Sequence, residues 1–289
     1  MIYVLTRIKE WGHSMSKELA SHLYHDNFQN FKPYQIPKAQ LVIADIPYNI
    51  GQDAYGSNPT WYVGGDNKNG ESEHAKSAFF NTDGQFRIAE YMHFCSTMLK
   101  KEPKEKGKAP AMIIFCAWDQ QAGLVDLAKR YGFNGVIPVT FIKDYSAQVL
   151  KANMRIVGAT EYGLIFYRSK LPKFNNNGKM VFDYFKYPRD TETPKIHPTQ
   201  KPVPLLKELI RLFTDVGDVV IDPCAGSGTT LIAADELGRQ AYGFECDTSI
   251  YNKAKKLLTD HRSQYDFETS MAVNALHEQR LEQMQMAMK

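Results

Sequence analysis

The residues Asp45-Ile46-Pro47-Tyr48 place an acid, a stiff peptide and an aromatic ring directly after the apolar run 41–44. That run predicts a buried strand, and open α/β sheets bind ligands at the carboxyl ends of their strands. The Asp45 carboxylate and the Ile46 carbonyl could each accept one N–H, Pro47 would stiffen the backbone, and Tyr48 could stack on a ring. The four residues suit a planar base with an exocyclic amine. A proline turn with a half-buried tyrosine is the alternative interpretation.

A second candidate site is the small-residue turn Asp222-Pro223-Cys224-Ala225-Gly226-Ser227-Gly228-Thr229-Thr230, which joins a predicted strand to a predicted helix. Its glycines let the backbone approach a ligand, and the helix N-terminus offers free N–H groups to a carboxylate or phosphate. The next predicted strand ends at Glu245, roughly 20 residues further on, where an acid binds ribose hydroxyls in dinucleotide folds. The turn lacks both G-x-G-x-x-G and the lysine of a P-loop. A nucleoside-like ligand without a triphosphate therefore fits better.

Composition sets the broad class of the protein. A chain of 289 residues with 43% hydrophobic residues can build one large α/β domain or two small ones. The net charge of +3 is too small to name a partner. No apolar run approaches the roughly 20 residues of a membrane span, and no stretch resembles a signal peptide, so a cytoplasmic protein without membrane association is expected. No metal is expected, because the histidines and cysteines lack ligand spacing. Four cysteines are interpreted as free thiols in a reducing cytosol: Cys95, Cys116, Cys224 and Cys246.

Strands alternate with helices along most of the chain, which predicts an α/β fold with a mostly parallel sheet covered on both faces. Pro138 indicates an edge or a bulge in its strand. Asp119 is expected to cap the helix that follows it, and Gly132 to end that helix. The predicted strands are 22–25, 41–44, 111–118, 136–143, 160–167, 219–221 and 241–244. The predicted helices are 83–100, 119–131, 203–213, 231–237 and 248–261.

Two long segments interrupt this alternation. Residues 51–82 are rich in glycine, asparagine and charge, and their position after the first motif favours a lid that orders on substrate, with plain disorder as the alternative. Residues 168–196 interleave cations with aromatic rings, which is typical of a nucleic-acid contact surface. The alternative for that segment is an insertion that packs on its own domain. Neither the extension 1–15 nor the C-terminal tail 262–289 is assigned any chemistry.

Taken together, the motifs resemble those of S-adenosylmethionine-dependent DNA amino-methyltransferases, in the circularly permuted group called beta. The resemblance covers residues 16–261. Ile46 replaces the second residue of the family's D-P-P-Y, and Cys224 replaces the phenylalanine of its cofactor loop. The family's elements occur here in the family's order: Asp45-Ile46-Pro47-Tyr48, a recognition region at 168–195, His197-Pro198-Thr199-Gln200-Lys201-Pro202, and Asp222 to Thr230.

The resemblance implies a Rossmann-like class I methyltransferase fold with a seven-stranded sheet and one antiparallel strand. It also implies two sets of site residues. The flipped base would be held by Asp45, Ile46, Pro47 and Tyr48. The cofactor S-adenosylmethionine would be bound by Asp26 near its adenine, Thr199 and Lys201 near its carboxylate, Gly226, Ser227 and Gly228 along its methionine part, Glu245 at its ribose, and by Asp222, Cys224 and Thr229 in the same loop.

The activity implied by the resemblance is methyl transfer to the N6 amine of adenine in double-stranded DNA after base flipping. Within the family an aspartate at the first catalytic position accompanies adenine more often than cytosine. Transfer to cytosine N4 is the first alternative, and a cofactor- and DNA-binding protein that has lost transfer is the second. Methylation of RNA, a protein or a small molecule is a third reading. Because members of the family often dimerise, a homodimer is also among the expected states.

Overall fold

The computed structural model describes residues 21–48, 86–145, 148–151, 156–197 and 199–264. The extension 1–15, the lid assigned to 51–82 and all but the first three residues of the tail lie outside these ranges.

One large sheet forms the centre of the structure. Its strands and those of a separate two-stranded antiparallel sheet, β5 and β6, are β1 (His22–His25), β2 (Leu41–Asp45), β3 (Ala111–Cys116), β4 (Gly135–Lys143), β5 (Gln148–Lys151), β6 (Ile156–Gly158), β7 (Thr160–Tyr167), β8 (Tyr184–Tyr187), β9 (Val219–Asp222) and β10 (Gln240–Glu245). The large sheet has the spatial order β1-β10-β9-β2-β3-β7-β4-β8. β7 runs antiparallel to both its neighbours, and the remaining pairings within this sheet are parallel.

The mostly parallel sheet with one antiparallel strand confirms the predicted fold class, but the strand count of seven was wrong. The eighth strand, β8, lies inside the predicted recognition segment and pairs with β4 only from Thr140 to Lys143. Its four residues do alternate between exposed and buried, but so short a run does not distinguish a strand from a loop. β8 does not pair with the half of β4 that contains Pro138. The missing N–H of Pro138 therefore costs no hydrogen bond to β8.

Helices cover both faces of the sheet: α1 (Ile88–Met98), α2 (Gln121–Arg130), α3 (Val203–Phe213), α4 (Thr229–Glu236) and α5, which spans 248–264 of the described residues. The prediction that Asp119 caps α2 was wrong. Asp119 lies inside a short 3₁₀ turn, Trp118–Gln120, and the N-cap position falls on Gln120. Gly132 follows the helix with a φ of +86°, as a terminating glycine should. Among the described helices, none has the length and apolar character to cross a membrane.

Alternate residues of the central strands are buried on opposite faces. In β2, Leu41 and Ile43 pack in the cluster formed with α3, α4 and α5, while Val42 and Ala44 pack in the cluster formed with α1 and α2. This two-sided burial explains why β2 is an unbroken apolar run. The two cores fix the sheet rigidly, so the residues at the ends of its strands have defined positions.

Candidate active site

Four acids follow the carboxyl ends of four adjacent parallel strands. Asp45 ends β2 and Asp222 ends β9, and these strands pair at Val42 and Ile221. Glu245 ends β10 and pairs with His25, the last residue of β1. Asp26 follows His25 directly. Since neighbouring strands lie about 4.8 Å apart, the whole row spans roughly 15 Å. The fold therefore brings the two sequence motifs to one edge of the sheet, where α/β folds bind ligands.

The Asp45 carboxylate lies in a chain of buried charges. The Lys201 ammonium donates a hydrogen bond of 2.6 Å to Asp45 Oδ2 and lies 3.1 Å from Glu161 Oε2. The other oxygen of Glu161 accepts a 2.7 Å hydrogen bond from the Lys143 ammonium. Lys201 has only 7% of its side chain exposed. Charges so deeply buried are tolerated only when they are paired, as these are.

Burial and pairing set the protonation of this cluster. Burial raises the pKa of Asp45, and the Lys201 cation opposes that rise while the Glu161 anion adds to it. For Glu161, burial acts upward, but the two lysines prevail and hold its pKa at about 2. The two carboxylates raise the pKa of Lys201 although burial acts to lower it. Glu161 and Lys201 are therefore charged at neutral pH, while Asp45 is the more basic of the two acids.

The backbone of the first motif is fixed on both sides. The Ile46 amide donates to the Phe115 carbonyl at 3.3 Å, and the Pro47 carbonyl accepts a 2.9 Å hydrogen bond from the Gln120 side chain. Ile46 is 1% exposed and belongs to the core on the α1 and α2 side. Its departure from the family's proline is therefore accommodated by apolar packing, which helps to hold the motif.

Two polar atoms of the first motif are buried. Asp45 Oδ1 and the Tyr48 hydroxyl make no well-formed hydrogen bond to any residue that the structure describes, although the hydroxyl lies near enough to the carboxylate to lower the pKa of Asp45. Burial, followed by the charge of Asp45, raises the pKa of Tyr48 well above its ordinary value, so the phenol stays neutral. The Tyr48 ring is half-buried, and the Lys201 ammonium lies 5.7 Å from its centroid. A buried unpaired oxygen costs about 1–3 kcal/mol, and a ligand N–H at Asp45 would recover it.

The small-residue turn adopts a conformation that requires glycine. Gly226 and Gly228 have φ values of +50° and +77°. The turn is held by hydrogen bonds of 2.8 Å from the Ala225 amide to Phe244 and from the Gly228 amide to Ala225. Among the described residues, a Cβ added at Gly226 would meet only the Cys224 carbonyl, at 4.0 Å. The space beside Gly226 is therefore open, as a turn that lets a ligand approach its backbone requires.

The turn and the first motif are electrostatically coupled. Burial raises the pKa of Asp222 to about 7, and the charges of Asp45 and Glu245 add to that rise. Hydrogen bonds from Thr230 and from the Cys224 amide, which lies 3.0 Å from Asp222 Oδ1, oppose it. Such coupling through a protein interior acts only over short distances. Asp45 and Asp222 therefore lie close together at one edge of the sheet, where β2 and β9 pair.

The remaining predicted cofactor residues occupy the same edge. Glu245 accepts a 2.7 Å hydrogen bond from the Asp247 amide, and burial raises its pKa. Ser227 and Thr229 are buried, with their hydroxyl oxygens 3.5 Å apart. Asp26 accepts hydrogen bonds from Tyr34 (2.7 Å) and Asn30 (2.8 Å), which lower its pKa although burial acts to raise it. Their assigned contacts with a cofactor stay predictions.

In the segment before α3, Lys201 contacts residues that the sequence did not predict as its partners. Thr199 Oγ1 lies 3.0 Å from Nδ1 of His197, whose pKa is lowered by burial and by Lys201 to about 4. Lys201, assigned to the cofactor carboxylate by resemblance, contacts Asp45 and Glu161. Its contact with the cofactor stays a prediction.

Sequence reasoning missed three residues of the site: Lys143, Glu161 and Gln120. The available signal was Glu161, an acid near the start of an otherwise apolar strand. Because β7 is antiparallel, its first residues lie at the edge where β3 and β4 end. Only the strand order reveals that this acid lies beside the first motif, residues 45–48.

The predicted recognition segment divides into two parts. Its first cations serve the fold: Arg168 donates to the Lys100 and Ser96 carbonyls, and Lys173 is buried against Asp215 and Asp218. Further on, exposed rings and cations lie together: Phe182 stacks on Tyr184, the Lys186 ammonium lies 5.8 Å from the Tyr184 ring centroid, and Met180 is fully exposed. The part available to a nucleic acid is therefore about 179–189.

Several known proteins are similar to this chain in sequence or in fold. The DNA adenine methyltransferase YhdJ of Escherichia coli K12 is 27% identical over 268 residues, which cover 85% of this chain and 84% of YhdJ. The fold resembles that of M1.HpyAVI in its SAM complex (TM-score 0.59, 22% identity, 83% of this chain and 99% of that one). It also resembles PvuII DNA methyltransferase, which is cytosine-N4-specific (TM-score 0.57, 14% identity, 84% and 91%).

A family model described as DNA methylase, and named for N6 and N4 methyltransferases, matches residues 39–256. The match includes both motifs, the charge cluster and the whole segment between them, which is well over half of the 289 residues. The chain belongs to this family of S-adenosylmethionine-dependent DNA amino-methyltransferases.

Proposed function

We propose that this protein methylates the N6 amine of adenine in double-stranded DNA. The observation that carries the proposal is the buried Asp45 Oδ1, which makes no well-formed hydrogen bond to a described residue and lies at the same edge of the sheet as the glycine turn 226–228. An incompletely satisfied acceptor at that place suits a substrate N–H. The family supports a DNA amine as the substrate, and YhdJ supports adenine.

The residues at this edge of the sheet fit S-adenosylmethionine, the cofactor of the family. The open space beside Gly226 leaves room for a ligand against the backbone. Asp45, Asp222 and Glu245 all have raised pKa values, so a ligand with positive charge would find acids that it can stabilise in their ionised form. When bound, the cofactor supplies a sulfonium methyl group, whose bond to sulfur breaks, leaving its electron pair on sulfur, as the bond to the amine nitrogen forms.

The chain's own residues would make the amine reactive by holding it. An exocyclic amine is a weak nucleophile because its lone pair is delocalised into the ring. Asp45 Oδ1 would accept one N–H and the Ile46 carbonyl the other, which draws electron density back to the nitrogen. The half-buried Tyr48 ring would replace part of the stacking that the base loses on leaving the duplex. Most of the rate gain would come from positioning.

Cytosine N4 is the second candidate target. Both amines offer the same two N–H groups, and the likeness to the cytosine-N4-specific PvuII enzyme extends to the fold. The aspartate at position 45 and the likeness to YhdJ support adenine. The homodimer implied by the family resemblance stays a prediction.

The test uses the full chain, methyl-labelled S-adenosylmethionine and unmethylated genomic DNA prepared by amplification, which presents many sequences at once. Nucleosides from the digested DNA should carry the label in N6-methyladenine, and Asp45→Ala should remove it. Asp126→Asn, a change at an exposed acid on α2, should label DNA as the wild type does.

Two outcomes would contradict the proposal. Label in N4-methylcytosine would show that the target is the other amine. Calorimetric binding of S-adenosylmethionine with no label in DNA would show a protein that binds without transfer.

A further inference from the structure

The chain of charges beside the catalytic motif extends beyond the residues that touch a base. It runs from Lys143 through Glu161 and Lys201 to Asp45, with successive N–O distances of 2.7, 3.1 and 2.6 Å. Its members come from β4, β7, the segment before α3 and β2. Lys143, Glu161 and Lys201 expose 13%, 21% and 7% of their side chains. Burying four charges is costly, so their arrangement calls for a functional explanation.

Glu161 occupies the central position because each of its oxygens faces a different lysine. Oε1 accepts from Lys143, and Oε2 forms an ion pair with Lys201 at 3.1 Å that lacks hydrogen-bond geometry. Lys201 in turn lies between two acids. Of the two Asp45 oxygens it donates only to Oδ2, while Oδ1 makes no well-formed hydrogen bond to a described residue. An ammonium on a flexible four-carbon chain has no intrinsic preference for one carboxylate oxygen. The second acid supplies that preference by fixing where the ammonium lies.

We propose, on the basis of the proposed function, that Glu161 is a positioning residue for methyl transfer. It holds the Lys201 ammonium against one oxygen of Asp45 and balances part of the Lys201 charge. The other oxygen then stays available to the target amine, and the Asp45 carboxylate stays basic enough to receive the amine's proton. Lys143 balances Glu161 from the far side.

The proton step shows why the shared charge matters. After transfer, the amine nitrogen carries the new methyl group, a positive charge and one proton too many. The N–H bond breaks with its electron pair remaining on nitrogen, and the proton passes to Oδ1 of Asp45, which later releases it to water. If Lys201 paired with Asp45 alone, its full charge would make that carboxylate a poorer acceptor.

Asp45 faces several charged or titratable groups besides Glu161. Lys201 opposes the rise in its pKa, and Glu161 adds to it. The other groups that interact with it are Tyr48, Cys116 on β3, Tyr187 on β8, and Asp222 and Cys224 after β9. Tyr48 and Cys116 stay neutral near pH 7, since burial raises the pKa of both. Lys201 and Glu161 are the charged groups that shift the pKa of Asp45 most, so their removal should move its titration most.

The test measures the single-turnover rate of methyl transfer against pH for Glu161→Gln. We expect the rate to fall about tenfold or more and the affinity for S-adenosylmethionine to stay within about twofold. The acidic limb of the profile should move to lower pH, because the loss of the Glu161 charge lowers the pKa of Asp45. Glu161→Asp restores the charge on a shorter side chain. It should return both the transfer rate and the pH of the acidic limb towards their wild-type values.

A second variant separates positioning from mere structural support. Lys143→Gln leaves Glu161 paired with Lys201 alone, which weakens the Lys201 field at Asp45, so the acidic limb should move to higher pH. Simple loss of packing would not move the limb in opposite directions in the two variants. Glu208→Gln, a change at an exposed acid on α3, is the matched control and should leave the profile unchanged.

The outcome for Glu161 is independent of the outcome for the proposed function. A wild-type protein that labels DNA, with an unmoved limb in both Glu161→Gln and Lys143→Gln, would overturn the positioning role alone. A wild-type protein that labels no DNA would overturn the proposed function. If Glu161→Gln fails to fold by circular dichroism, Lys143→Gln decides the matter, and an acidic limb that stays at the wild-type pH in that variant would overturn the role.

Discussion

At the scale of single residues, the first motif breaks a general rule of folded proteins. Buried polar atoms are nearly always hydrogen-bonded, yet Asp45 Oδ1 and the Tyr48 hydroxyl make no well-formed hydrogen bond within the described part of the chain. Violations of this kind concentrate where a ligand completes the structure. The two residues differ, however, in what they would offer: Asp45 offers an acceptor, while Tyr48 offers a half-buried ring.

Tyr48 allows the two properties of its side chain to be separated. Tyr48→Phe removes a buried hydroxyl that makes no well-formed hydrogen bond to a described residue, so the free energy of unfolding should stay equal or rise by about 1–3 kcal/mol, and turnover should remain near wild type. Tyr48→Ala removes the ring and should lower turnover by about tenfold or more, since stacking on a base is worth about 1–3 kcal/mol. Urea denaturation and DNA labelling measure the two effects. A Tyr48→Phe variant as inactive as Tyr48→Ala would show that the hydroxyl, not the ring, matters.

At the scale of elements, the unit of β9, the glycine turn, α4 and β10 depends on close approach of its parts. A Cβ at Gly243 in β10 would lie 2.8 Å from Ala225 Cβ and 2.8 Å from Leu231 Cδ1. Ala225 directly precedes the turn, so the bare backbone at Gly243 is what lets the turn lie against the sheet. The sequence predicted strand, turn and helix here, because those depend on local pattern, but it gave no indication of the contact across β10.

Gly243→Ala should therefore destabilise the protein by about 1–3 kcal/mol and weaken S-adenosylmethionine binding by displacing the turn. The matched control is Gly123→Ala in α2, where a Cβ would meet nothing within 4 Å. That change should stabilise the fold by up to about 1 kcal/mol, because alanine loses less backbone freedom in a helix. Thermal unfolding and calorimetry report the two effects. Equal changes in melting temperature for both variants would refute the packing argument.

At the scale of the whole molecule, long-range pairing decides what the sequence could reveal. The strand at Thr160–Tyr167 was predicted to the residue, yet Glu161 was not linked to Asp45, because its position depends on an antiparallel strand inserted between β3 and β4. The strand β8 was missed for the same reason. Motifs such as 45–48 and 222–230 could be found because each is a local backbone solution that one stretch of chain specifies. The charge chain draws its members from four separate elements, and no local pattern encodes it.

One acid of the row at the edge of the sheet, Asp222, also makes the stability of the protein depend on pH. Asp222 is 4% exposed, and burial raises its pKa from 3.8 to about 7. A raised pKa means that the protonated acid favours the folded state. The stability it contributes is therefore full below about pH 4 and is lost as the pH rises through 7.

Asp222→Asn keeps this side chain neutral at every pH, and its Oδ1 can still accept from the Cys224 amide. Relative to wild type, the free energy of unfolding of the variant should therefore rise by on the order of 2–4 kcal/mol between pH 4 and pH 8. His197, whose lowered pKa of about 4 costs stability as the pH falls below 6.5, acts in both proteins and cancels in the difference. Urea denaturation at half-unit steps of pH, without cofactor, gives that difference directly. Asp126→Asn at an exposed acid should run parallel to wild type throughout, and an Asp222→Asn curve equally parallel would mean that Asp222 is already ionised in the fold.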